Sequence, residues 1–204
     1  MRAPLRRPVS RSGAPRRWPV TVEAYHALAA SGAIGPDERV ELVNGQVLAM
    51  SAVAGPHIMV VARLTLHFAG IAAQMSPRTF DVLVQSPLRL GPHDEPEPDV
   101  ALVRAGGPPR EVPRVEAALL VVEVADATLH FDRGPKRTRY ARAGVPEVWV
   151  VDVAGGTVEV ARGAISGEGA YAEIRRLGPG AALAVAALAD VPTLSLDTLF
   201  EGLR

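Results

Sequence analysis

The 204-residue sequence predicts an α/β (α+β) fold: a mixed β-sheet core flanked by helices, with extra β-hairpins. Three observations predict it. Strand-like runs outnumber helical ones, three helical patterns are inserted among them, and one run, Ala117–Ala125, is nearly continuous in apolar residues. Such a run is the mark of a central strand covered on both faces.

In chain order, Thr21 is placed to cap a helix over Val22–Ala30, with Glu23 in its first turn and Gly32 beyond its end. Asn44-Gly45, between two β-rich arms in Arg39–Met50, predicts a tight hairpin, because both turn positions need positive φ. From Pro56 to Met75, the residues Ile58, Val61, Leu64, Phe68, Ile71 and Met75 recur at helical spacing and predict a long helix on one sheet face. Strands are expected at Phe80–Leu90, Asp99–Arg104 and Ala117–Ala125. Asp132 is placed to cap a helix to Ala143, stopped by Gly144 and Pro146. Strands Glu147–Val153, Thr157–Arg162 and Ala170–Leu177 follow, the first two joined by a turn at Gly155-Gly156. The tail holds short apolar pieces ending at Leu199-Phe200.

Composition narrows the function. No cysteine is present, which excludes disulfides, thiolate metal sites and a cysteine nucleophile. No apolar run is expected to reach the roughly 18 residues of a membrane span, and no greasy segment follows the first arginines, so a cytoplasmic protein is expected. Residues 1–17 carry six arginines and no acid, and read as a basic, flexible arm ahead of one domain over 18–204. That domain keeps 16 basic residues against the chain's 22 acidic ones, a net charge of −6. Of all 22 basic residues only Lys136 is lysine. A compact ammonium in an arginine-using chain points to a place where guanidinium does not serve.

Three residues carry the chemistry. Asp99 immediately precedes an apolar strand, Glu123 interrupts the greasiest strand, and Lys136 lies thirteen positions later on the following helix. A carboxylate inside a buried strand is costly unless paired, hydrogen-bonded or bound to a metal. If the two strands are neighbours, both acids converge. Oxygen ligands of this kind suit Mg²⁺ or Mn²⁺. Such an ion polarises a phosphoryl oxygen and eases deprotonation of water, with the ammonium steadying charge on phosphorus. Each residue also has a structural reading: Asp99 as a strand-entry residue, Glu123 as the ion-pair partner of an arginine, Lys136 as a solvated helix residue.

The strings Glu41-Leu-Val-Asn-Gly45, Pro98-Asp99-Val, Leu120-Val-Val-Glu123-Val and Asp132-Arg-Gly-Pro-Lys136-Arg-x-x-Tyr140-Ala-Arg-Ala-Gly144-Val-Pro-Glu-x-Trp149-x-Val-Asp152 resemble the Uma-type family of restriction endonucleases. That family is placed among the PD-(D/E)XK nucleases, so the resemblance, over about residues 20–200, implies a restriction-endonuclease-like fold with its cleft at one edge of a four- or five-stranded sheet. It also implies that Asp99 and Glu123 bind the metal with the backbone carbonyl of Val124, and that Glu41 is a possible outer ligand. The usual lysine position falls on Ala125, and the family pattern supplies Lys136 from the next helix instead. Gln46 stands where a second acid is expected, and Asp126 where the family often has serine.

The activity implied is metal-dependent hydrolysis of DNA, with a homodimer expected by fold analogy. A binding or regulatory module on the same fold, or a hydrolase of a smaller phosphodiester, are the alternatives. His57 at the start of the long helix, Gln85, Arg133, Arg137 and Tyr140 are candidate substrate contacts. Three of them have a structural alternative: a capping or partly buried role for His57, an edge or surface position for Gln85, core for Tyr140.

Overall fold

The computed structural model describes residues 18–50, 55–108 and 110–203, so the expected arm at 1–17 lies outside the described residues. The helix α1 (Val22–Ala30) begins where Thr21 Oγ1 accepts the Ala24 N–H at 3.2 Å. The hairpin of β1 (Val40–Val43) and β2 (Gln46–Ala49) turns at Asn44 (φ 53°) and Gly45 (φ 68°). A Cβ at Gly45 would stand 2.5 Å from that of Pro19, so only glycine fits there.

The main sheet has six strands in the order β3 (Phe80–Val84), β4 (Val100–Arg104), β5 (Ala118–Ala125), β6 (Glu147–Asp152), β7 (Thr157–Ile165) and β8 (Ala170–Leu177). It is one to two strands wider than expected, because β7 and β8 form a long hairpin that joins the sheet rather than standing apart. All neighbours run antiparallel except β5 and β6, which are parallel and therefore need a crossover. A helical crossover supplies it: α3 (Leu129–Phe131), a π-helical turn over Asp132–Lys136 and α4 (Arg137–Ala143). Pro135 lacks the N–H an α-helix would use, and within the widened turn Arg137 N–H reaches Asp132 O.

Alternation along the strands divides the core into two layers. Val122, Val124, Trp149 and Val151 pack under α2 (Gly55–Gln74), with Leu196 and Leu199 of α5 (Leu196–Leu199). Val121, Ala125, Val148 and Val150 pack under Tyr140 and Ala141 of α4. A small pair, β9 (Ala182–Leu183) and β10 (Leu194–Ser195), precedes α5.

Four expectations are corrected. The strand from Phe80 stops at Val84, because Gln85 takes a positive φ of 43° and turns the chain off the sheet. Asp132 does not cap the crossover helix, which starts at Leu129; its carboxylate accepts the Thr128 hydroxyl at 2.5 Å. Ile58 is 51% exposed, since the inward face of α2 runs through Val60, Val61, Leu64 and Phe68 instead. Finally, α2 is by length and composition long enough to cross a membrane, contrary to the sequence reading. Its inward face, however, is packed on the sheet.

Candidate active site

Antiparallel pairing of β4 and β5 sets Val100 opposite Val122, so Asp99 arrives beside Glu123 one step further along. Ala101 of β4 and Val121 and Ala125 of β5 face the α4 layer, and by alternation Asp99 and Glu123 face it too. Asp99 Oδ2 accepts the Val124 N–H at 2.8 Å, extending the ladder one residue ahead of the start of β4. Because Ala125 O accepts from Val153 on the β6 side, alternation turns the Val124 carbonyl toward the open β4 side. The cleft therefore sits where β4 begins and β5 ends, inside the sheet rather than at its lateral edge.

Glu123 is 3% exposed and is held from the crossover. Lys136 Nζ lies 3.1 Å from each of its carboxylate oxygens, and the Tyr140 hydroxyl donates to Oε1 at 2.5 Å. Asp132, Lys136 and Tyr140 fall at intervals of four on the buried side of this helical segment. Glu41 reaches in from β1: its Oε2 accepts Lys136 Nζ at 3.0 Å and the Glu97 N–H at 3.1 Å. The hairpin is fixed there by paired backbone bonds between Leu42 and Glu95.

Burial alone would lower the Lys136 pKa, but Glu123, Glu41 and Asp132 outweigh it and hold the amine above its ordinary value. Burial likewise raises Tyr140, with the Glu123 charge adding to it, so its hydroxyl remains a donor. Burial also pushes the Glu123 carboxyl well above its usual range, with Lys136 pulling the other way.

Around this triad opens a cleft of about 410 Å³ lined by six carboxylates, Glu41, Glu97, Asp99, Glu123, Asp126 and Asp132. His57, in the first turn of α2, sets Nε2 3.1 Å from Asp99 Oδ1, and its buried Nδ1 has no hydrogen-bond partner among the described residues. The bond to Asp99 raises the His57 pKa against the opposing pull of burial. Gln85 lines the same cleft, with Nε2 3.5 Å from Asp99 Oδ1.

Arg133 and Arg137 stand outside the cleft lining, paired with Asp152 and Glu159 and with Glu159 respectively. Tyr140 stands behind Glu123, fully buried, rather than at the cleft surface. Sequence reasoning overlooked Glu97 and Arg39. Glu97 was within reach of it: Pro96 and Pro98 hold the run extended, and residues two apart in an extended chain share a side, so Glu97 follows Asp99. Burial raises its pKa, with Arg39 pulling the other way.

The model of the family described as "Uma2: Putative restriction endonuclease" matches residues 22–197. The chain belongs to the Uma2 family. No curated protein matches it. Among solved structures, the Uma2 chain is similar to a protein from Anabaena variabilis ATCC 29413, described as a putative nuclease belonging to DUF820. The TM-score is 0.74 at 17% identity, over 91% of this chain and 100% of that one, which establishes a shared fold.

Among the described residues no three His, Asp or Glu side chains already converge around one ion-sized point. The donors nevertheless fit a hard divalent cation in kind. They are carboxylate and carbonyl oxygens, and the six acids exceed the lining cations Lys136 and Arg39, with His57 beside them.

Proposed function

We propose that this Uma2 protein is a metal-dependent endonuclease that hydrolyses DNA phosphodiester bonds. The observation that carries the reading is the meeting of Asp99, Glu123 and Lys136, from two strands and a crossover, at one acidic cleft. Asp99, Glu123 and the Val124 carbonyl would hold Mg²⁺ or Mn²⁺, with Glu41 as an outer group that orients Lys136. When bound, the ion would polarise a phosphoryl oxygen and make water easier to deprotonate.

The chain's own residues do the rest. Tyr140 and Lys136 fix the orientation of Glu123, and His57 and the Val124 N–H fix Asp99. Lys136, kept protonated by the surrounding acids, offers a positive charge to the phosphate as charge builds there. A phosphate about 4 Å from one unshielded carboxylate would be repelled by on the order of 4 kcal/mol at an effective dielectric near 20. This cleft therefore favours a polyanion only once cations occupy it. Duplex cutting needs two such clefts, so a homodimer is the expected assembly, working in the cytoplasm.

The test is nicking of supercoiled plasmid with Mg²⁺ or Mn²⁺. Activity in the wild type that is lost in both Glu123→Ala and Lys136→Ala supports the reading; a wild type inert with either ion overturns it. A second reading, a DNA-binding module on the same fold without catalysis, draws on the full engagement of Glu123 by Lys136 and Tyr140. Binding without cleavage would favour it.

A further inference from the structure

We infer that Arg39 receives a phosphate of the substrate at the mouth of the cleft, an inference that rests on the nuclease reading. The charges lining the cleft single it out. Before the reaction Lys136 is paired with Glu41 and Glu123. His57 is spent on Asp99. Among the described residues, Arg39 is the remaining lining cation, it is exposed, and no carboxylate lies within ion-pair distance of it. Its charge is still felt inside the cleft, where it acts on both Glu97 and His57.

Its backbone is anchored although its side chain is not. The Arg39 carbonyl accepts the Met50 N–H at 2.9 Å, and the next carbonyl, Val40 O, accepts the Tyr25 hydroxyl at 2.9 Å. A guanidinium on a fixed stem, facing an acidic hollow with no acid to neutralise it, is a ready fork for phosphate oxygens. The acids on the floor repel that phosphate, so the rim is where a ground-state grip has to come from.

Two measurements on the full-length protein test this: anisotropy of a labelled duplex oligonucleotide with Ca²⁺ replacing Mg²⁺ over a series of salt concentrations, and plasmid nicking with Mg²⁺. Arg39→Gln should weaken binding by about tenfold or more and reduce the salt slope by about one. It should raise KM while leaving kcat in place, as expected of a contact made equally before and during the reaction. Arg39→Lys should recover part of the affinity, whereas Arg114→Gln, also exposed but outside the cleft, should change neither quantity. Unchanged affinity and salt slope in Arg39→Gln, with the wild type nicking normally, overturn the Arg39 assignment alone. A wild type that binds without nicking, with binding weakened by Arg39→Gln, keeps the assignment and removes the hydrolase reading. A wild type that neither binds nor nicks removes both.

Discussion

The Lys136 ammonium lies 3.1 Å from both oxygens of Glu123, a residue thirteen positions earlier and almost fully buried. Removing one member of a buried pair leaves the other without compensation, which typically costs about 3–5 kcal/mol. Lys136→Met should lose stability on that scale in urea unfolding. Lys136→Met combined with Glu123→Gln should recover a substantial part of it. A double variant no more stable than the single one would contradict the pairing.

Tyr140→Phe deletes only the hydroxyl that donates to Glu123. Hydrogen bonds to charged groups contribute about 1.5–3 kcal/mol, so a loss in that range is expected by denaturant titration. If Tyr140 merely filled the core, the variant would unfold at the wild-type midpoint.

Divalent metal should raise the melting temperature, because an ion that binds only the folded chain stabilises it by about 2.7 kcal/mol at one hundred times its Kd. Thermal shift with Mn²⁺ reads this directly. Asp99→Asn should abolish the rise; an undiminished rise in that variant places the ion elsewhere.

Gly45→Ala forces a side chain into a left-handed turn and against Pro19. A cost of about 1–3 kcal/mol is expected. Since this hairpin carries Glu41, calorimetry should show a lower melting temperature together with weaker Mn²⁺ stabilisation.

His67, which sits against Pro192 O at 3.2 Å, has its pKa lowered, chiefly by burial. A folded state that prefers the neutral ring is stabilised above the unfolded pKa near 6.5 and loses that margin as pH falls through the depressed folded value. Between about pH 7 and pH 5 the wild type should therefore lose melting temperature relative to His67→Gln. Equal slopes in the two proteins would refute the assignment.

Much of this was legible in the chain, for reasons that differ by residue. Asn44-Gly45 encodes its own turn, and an acid inside Ala118–Ala125 announces that something must compensate it. A lone lysine among arginines pointed to the partner. The sheet's full width was not legible, because the β7–β8 hairpin reads the same whether it joins the sheet or stands apart. Nor was the start of the crossover: Asp132 has the chemistry of a cap, but the π-helical turn around Pro135 places it inside the helix. Arg137 follows Lys136 by one residue, a step that swings a side chain by more than a quarter turn around a helix, and it meets Glu159 instead; Arg133 meets Asp152 and Glu159. Arg39 gave no signal because nothing local distinguishes it from twenty other arginines.

Carrying the amine on the crossover rather than on the strand has a consequence of its own. An amine two residues along the same strand would be locked to its acid by backbone geometry alone. Here the separation is set by how closely a helix beds onto a sheet, so a methyl group gained or lost beneath Ala141 or Val145 becomes a tuning screw for chemistry it never touches.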